Sequence, residues 1–328
     1  MGQKGASFLP RFWPEGALAA ILWTSRSCPL GSSRALPGMD SPKRKCSAKF
    51  QSFRCGVCRD LLVGTWKGYR GYRMREDVIS YQTQVNGFPA TAVYSRQTVE
   101  EVLVPLLQKF TALWEERGRR IVIFLAAPPA AGKSTLAPFL QHLSEMLPGV
   151  RPLQAVGLDG FHYPNRYLQT HTLLRDGAEV SLADVKGCAE TFDVRALGGK
   201  LFALSRGDVR FPFYDRRIHD VVEDAVLVSR DILLLEGNWL LLDEPCWIAL
   251  RPYADLAIFL SCREGPLRER LIERKVRGGM ARRKAEAFFE KSDAANVRRV
   301  LTCRQPADIT LSLAADFSLT AGGEDAQT

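Results

Sequence analysis

The hydrophobic pattern of the chain changes character near residue 74. Over residues 97–117, Val99, Leu103, Leu106, Leu107, Phe110 and Trp114 recur three and four apart, which predicts an amphipathic helix. Residues 120–126 then read Arg-Ile-Val-Ile-Phe-Leu-Ala, the continuous β-branched run of a central parallel strand buried on both faces. A short Pro/Ala/Gly loop leads into an amphipathic stretch at 136–143. Apolar runs at 153–158, 231–238, 255–260 and 308–313 predict further strands, and a charged helix is expected at 265–277. Strands alternating with helices in this way mean an α/β fold with a mainly parallel sheet. Residues 1–73 show neither period. They scatter Trp, Pro, Gly, Ser and Arg, which predicts a disordered extension, with the folded domain over 74–328.

Charge sharpens this division. The 328 residues carry a net +9. Residues 1–73 hold 13 Lys and Arg against 3 Asp and Glu, so the remainder is close to neutral. The body therefore lacks the basic footprint that nucleic-acid binding needs, and nucleic acid is not expected as its partner. No window supplies the roughly 18 consecutive apolar residues of a membrane span, so no membrane is expected either. Residues 16–23 resemble a short signal h-region, but Pro10, Pro14 and Glu15 break the lead-in. Ala6 stands where a myristoylation motif needs Ser or Thr. Cys55-Gly-Val-Cys58 is a lone CxxC with no His before His142, which points to unpaired thiols rather than zinc. A reducing, cytoplasmic setting fits the dispersed cysteines, with organelle targeting by the Arg- and Ser-bearing extension as the alternative. The sequence is silent on oligomeric state.

The chemistry concentrates at strand ends. Ala127-Pro128-Pro129-Ala130-Ala131-Gly132-Lys133-Ser134-Thr135 keeps the GxxxxGK[ST] phosphate-loop spacing, with Ala in place of the first Gly. A tight turn between a buried strand and a helix aims backbone N–H groups and the positive helix end at one point. Lys133 then reaches the β- and γ-phosphates and the Ser134 hydroxyl can ligate Mg²⁺. Asp159 ends the next strand, where a carboxylate can accept the proton of an attacking hydroxyl; a turn cap is its plainer role. Glu236 ends a strand of four aliphatics, where a buried carboxylate needs a metal or a donor. Phe211-Pro-Phe-Tyr-Asp215-Arg216 and His219 offer aromatic walls with polar tips for a small polar acceptor, although Phe211 and Phe213 suit a core equally well. The Arg-rich stretch at 265–292, around Gly278-Gly279, reads as a mobile lid or as a solvated helix face.

These motifs together resemble the phosphoribulokinase/uridine kinase family of P-loop kinases. Asp159-Gly-Phe…Pro164-Asn165 is similar to the string of bacterial-type pantothenate kinase. Closer still is a group of uncharacterised bacterial nucleoside/nucleotide kinase-like proteins. Its pattern is matched by His171-Thr…Arg175-Asp-Gly177, Lys186-Gly…Glu190-Thr-Phe-Asp193, Glu236-Gly-Asn238 and Ser292-Asp293…Asn296. The resemblance covers roughly residues 78–313 and implies a five-stranded parallel core, a helical lid and ATP–Mg²⁺ as donor. It implies Asp159 as catalytic base, with Lys133 and Arg274 on the phosphates and Ser134 and Glu236 at the metal. His162, Tyr163, Asn165, Arg175, Tyr214, Asp215, Arg216 and His219 become acceptor-site candidates. Where the pantothenate kinases carry their own acceptor elements, this chain has the Arg175 and Lys186 blocks. The expected activity is transfer of the γ-phosphoryl group to a hydroxyl of a nucleoside, sugar or pantothenate-like molecule. The competing reading is a nucleotide-dependent switch or ATPase acting on a protein partner; a non-catalytic binding module is the third.

Overall fold

The computed structural model describes residues 78–85, 88–175, 177–314 and 318–322. The expected extension and its cysteines lie outside them. The chain enters through an antiparallel hairpin, β1 (Val78–Val85) and β2 (Phe88–Ser95), and a π-helical turn at Val99–Leu103 leads into α1 (Val104–Arg117). Then follow β3 (Ile121–Ala126), α2 (Lys133–Met146), β4 (Leu153–Gly157), a 3₁₀ turn at Leu158–Phe161 and the short α3 (Asn165–Leu168). A short antiparallel pair, β5 (Thr172–Arg175) and β6 (Ala178–Ser181), precedes α4 (Val194–Leu204). A second hairpin pairs β7 (Val209–Asp215) with β8 (Asp220–Val228). The core resumes with β9 (Ile232–Gly237), α5 (Pro245–Ile248), β10 (Leu256–Cys262), α6 (Glu264–Arg277), α7 (Arg282–Phe288), α8 (Ala294–Thr302), β11 (Ile309–Leu313) and β12 (Leu319–Ala321).

The central sheet runs β12–β11–β10–β3–β9–β4. Five strands are parallel, as expected, and β12 adds an antiparallel edge. Alternation along each strand divides the apolar residues between two faces. Ile121, Ile123 and Leu125 pack with α1, α2 and the first hairpin, while Val122, Phe124 and Ala126 pack with α4, Trp239 and Trp247. Helices on both faces explain why β3 and β9 read as unbroken apolar runs. The first hairpin is fastened to α2 by rings: Tyr94 stacks on Phe139 with centroids 5.0 Å apart, and Tyr81 stacks on His142 at 4.6 Å. Among the described residues no helix is long and apolar enough to cross a membrane.

β3 lies between β10 and β9, so the chain leaves it in opposite directions on its two sides. Such a switch point opens a crevice at the carboxyl ends of the strands, where open α/β sheets bind their ligands. Phe124 sits at the centre of this arrangement with no exposure. Phe124→Ala is expected to lower stability by about 3–5 kcal/mol, read as a lower urea midpoint with an unchanged slope; an unchanged midpoint would show that the second face is not tightly packed.

Candidate active site

The loop after β3 turns through two left-handed residues, Ala130 (φ 64°) and Gly132 (φ 98°), before α2 begins at Lys133. Gly132 takes its conformation without a Cβ penalty, whereas Ala130 stores strain that the packed loop must hold. No side chain caps the N-terminus of α2. Its first N–H groups and its dipole therefore face the crevice, the geometry that binds phosphate. Thr135 Oγ1 donates to the Gly132 carbonyl at 2.8 Å, and the Tyr94 hydroxyl bonds the same Thr135 side chain. Burial pushes the Tyr94 phenol upward, so it stays protonated. The first hairpin thus braces the loop directly, a contact that no phosphate-loop spacing discloses.

Five charged side chains converge on the crevice. Lys133 is buried, and desolvation lowers its pKa against the opposing pull of Glu236 and Asp159. Glu236 ends β9 opposite Gly157 of β4, and desolvation raises its pKa while Lys133 and a Ser134 hydrogen bond oppose the rise. Asp159 lies in the 3₁₀ turn after β4, with Arg216 from the second hairpin 3.6 Å away. Arg274 of α6 is exposed as a residue, yet its charged end is crowded. Desolvation and the nearby Arg216 lower its pKa, and Asp293 and Asp159 act against them. Among the described residues no three His, Cys, Asp or Glu side chains gather into a protein-only metal cage. Ser134 hydrogen-bonded to Glu236 instead suits a Mg²⁺ ion that draws its other ligands from phosphate and water.

The acceptor-site candidates form a shell behind Asp159. His162 is buried, its Nδ1 lies 2.8 Å from the Asp159 carbonyl, and burial lowers its pKa toward neutral imidazole. Asn165 Nδ2 donates to the His219 carbonyl at 2.8 Å, and Lys186 Nζ donates to both Asn165 Oδ1 (2.6 Å) and the His219 carbonyl (3.0 Å). The same ammonium stands 4.7 Å from the centre of the Tyr214 ring. Lys186 is therefore the hub of this shell; the sequence showed it only inside a motif. Tyr163 stacks on Tyr167, and burial pushes its phenol up to about 12. Asp215 accepts from the Arg217 guanidinium at 2.7 Å, which holds its carboxyl below the usual range and engages it with the hairpin tip. Arg175 lies at the end of β5, and among the described residues no hydrogen bond or ion pair joins it to the shell.

A turn-and-helix cradle fed by the central strand, with carboxylates at the ends of the next two strands on one side, β9 and β4, defines the P-loop nucleotide-binding class. No family model matches the chain. It is 41% identical over 230 residues to the uncharacterised protein YggC of Escherichia coli, covering 70% of this chain and 93% of YggC. A pantothenate kinase of Enterococcus faecalis is 28% identical over 201 residues, 55% of this chain and 62% of that enzyme. Among solved structures, a candidate fructose transport system kinase from a Silicibacter species matches with a TM-score of 0.53 and 31% identity, over 62% of this chain and 98% of its own. The chain belongs to the phosphoribulokinase/uridine kinase family of P-loop kinases, in the group that contains YggC.

The position of Asp159 depends on a close approach. A Cβ at Gly160 would lie 2.2 Å from the Pro212 carbonyl oxygen, so the turn touches β7 backbone to backbone. Gly160→Ala is expected to push the turn off β7, with a modest stability loss of about 1–3 kcal/mol and a larger proportional loss of nucleotide turnover. Melting curves and ADP release on the same preparation separate the two; full turnover would show that this contact does not set Asp159.

Proposed function

We propose that the chain is an ATP-dependent small-molecule kinase that transfers the γ-phosphoryl group of ATP to an alcohol. The observation that carries this reading is the meeting of Lys133, Asp159, Arg216, Glu236 and Arg274 at the mouth of the phosphate loop. A simple nucleotide switch has no need of a carboxylate and an arginine held together two strands away from the loop. Mg²⁺–ATP supplies the transferable phosphoryl group, and Ser134 and Glu236 are the residues that would hold the cation. The loop from Ala127 to Thr135 would bind the phosphates.

In this reading Asp159 takes the proton of the acceptor hydroxyl as its oxygen bonds the γ-phosphorus, and ADP departs with the electrons of the broken P–O bond. Arg216 holds Asp159 in place until substrate arrives. Lys133 and Arg274 stabilise charge on the transferring group from two sides. The shell of His162, Tyr163, Asn165, Tyr214, Asp215 and His219 holds the Asp159 turn and the second hairpin in place. Similarity to proteins named as pantothenate kinase, uridine kinase and fructose transport system kinase supports a small hydroxyl compound as the acceptor. Residues 74–328 carry the kinase domain, with 1–73 as an extension outside it.

ADP release by the full chain with Mg²⁺–ATP, measured alone and with nucleosides, free sugars and pantothenate, tests the proposal. Release should rise with an acceptor. Asp159→Asn should lose roughly 10²–10⁴-fold of it while keeping nucleotide affinity. Acceptor-independent release, unchanged in Asp159→Asn, would transfer the assignment to an ATPase switch. Lys133→Ala should lose roughly 10²–10³-fold in turnover and weaken nucleotide binding as well; normal activity there would remove the phosphate-loop assignment.

A further inference from the structure

Residues 216–219 form the tip of the second hairpin, between Asp215 of β7 and Asp220 of β8, which pair with each other. Arg217 is engaged within the tip: its main-chain N–H donates to Asp215 at 2.9 Å and its guanidinium at 2.7 Å. Ile218 is exposed. His219 adopts a left-handed φ of 52°, uncommon for a residue with a Cβ and stable only where its surroundings hold it. Arg216 is the remaining tip residue, and its guanidinium lies 3.6 Å from the Asp159 carboxylate. That is an ion-pair distance, too long for a hydrogen bond, and both side chains are about a third exposed. Such a pair does not fix its own geometry.

The tip is held from outside. The His219 carbonyl accepts from Asn165 Nδ2 at 2.8 Å and from Lys186 Nζ at 3.0 Å. Asn165 also donates its main-chain N–H to Asp220 Oδ1 at 3.0 Å, and its own Oδ1 accepts from Lys186 Nζ at 2.6 Å. Asn165 and Asp159 belong to the same connection after β4, and Gly160 in that connection meets the Pro212 carbonyl backbone to backbone. The Asp159 segment is therefore fastened to the hairpin on either side of Arg216, at Pro212 and at His219.

Lys186 closes the second fastening. One ammonium bonds both of the groups that meet there, the Asn165 amide and the His219 carbonyl. Two of its three donors are taken by these oxygens, and it stands 4.7 Å from the centre of the Tyr214 ring on β7. Its main chain is anchored as well. Gly187, with φ 103°, donates its N–H to Thr191 Oγ1 at 3.1 Å and accepts the Trp239 indole N–H at 3.1 Å. A half-buried ammonium on a pinned loop, turned wholly toward protein groups of two other segments, is built as a clasp.

We propose that Lys186 is a positioning residue for phosphoryl transfer, which clasps Asn165 to the tip of the second hairpin and so fixes Arg216 against Asp159. The inference rests on the kinase reading above. Lys186→Met keeps an unbranched apolar stem and loses both donations, whereas Lys186→Arg keeps donors for both oxygens. Amide hydrogen exchange on the full chain tests the clasp without turnover. Exchange across residues 215–221 and at Asn165 should speed about 10-fold in Lys186→Met, with α1 unchanged, and most of the protection should return in Lys186→Arg. Unchanged exchange at the tip, or equal losses in the two variants, overturns the proposal. Exchange in α1 that rises in step with the tip shows a general stabilising role and overturns it too. ADP release with Mg²⁺–ATP and the panel of nucleosides, free sugars and pantothenate tests the consequence. Lys186→Met should lower kcat about 10-fold or more with the KM for ATP within about twofold. Placed on Arg216→Gln, it should add little to the loss of that variant, because both changes remove one arrangement. A raised KM for ATP at unchanged kcat, or losses that multiply in full, shows that Lys186 does not act through Arg216. No acceptor-stimulated release from the native chain removes the kinase reading, and the transfer role of Lys186 with it, whatever the exchange shows.

Discussion

Lys133 and Glu236 place opposite charges in a crevice where burial opposes the ionisation of each. Their mutual attraction only partly offsets that desolvation, and the uncapped positive end of α2 further disfavours a cation at Lys133. Such an arrangement is stabilised by an anion at the helix end and a cation against Glu236, which is the charge pattern of a metal-bound polyphosphate. The rest of the architecture follows from holding that pair still. A parallel sheet buried on both faces fixes the ends of β3, β4 and β9 relative to one another, and the site is built from groups at those ends. The apolar sandwich supplies the rigidity; the charges supply the specificity.

Two accessory pieces adapt this core. The first hairpin reaches the loop through Tyr94 and lines a groove beside it through Tyr81, so one element both braces the phosphate cradle and shapes the space next to it. On the other flank, Arg299 of α8 bridges Glu190 at 2.8 Å and Glu244 at 2.6 Å. Trp239 donates its indole N–H to the Gly187 carbonyl, and its ring lies under the Arg299 guanidinium. These contacts tie the helix that follows the lid to the loop bearing Lys186. A shared arginine between two carboxylates is worth more than separate surface pairs, because neither partner can be satisfied without ordering the other.

The core strands, the cradle and the carboxylates at strand ends were legible because each is a local pattern: an apolar run, a fixed spacing, a polar residue ending a strand. The apolar run 153–158 predicts a strand through Leu158, which instead opens the 3₁₀ turn, since an apolar residue fits either. The hairpins of β1–β2 and β7–β8 were not foreseen. Their strands carry mixed polar and apolar residues, and their stability comes from rings packed on α2 and from the turn against β7. Lys186 escaped for the same reason. Its partners, Asn165 and His219, lie 21 and 33 positions away, so only folding brings them to one ammonium.

The lid shows how far charge counting can mislead at a single site. Its many arginines read as a working surface or as a solvated face, and in the structure they divide between exposed ion pairs and one residue, Arg274, that neighbours Arg216 and Asp159. Arg282 pairs with Glu269 and Glu286, Arg277 with Glu273, and Arg268 with Glu290, all within the lid and all substantially exposed. Pairs of that kind contribute little individually. Arg274 differs in its neighbours: its nearest charged groups include Arg216 and Asp159, outside its own helix, and Lys275 beside it is taken by Asp293 at 3.2 Å. Two arginines held near each other and near one carboxylate repel unless something anionic comes between them. The apolar seam of Leu267, Leu271 and Ile272 fixes which face of α6 is buried, and that register sets where Arg274 points. Helix phase, more than arginine number, therefore selects which arginine of α6 shares its surroundings with Arg216 and Asp159.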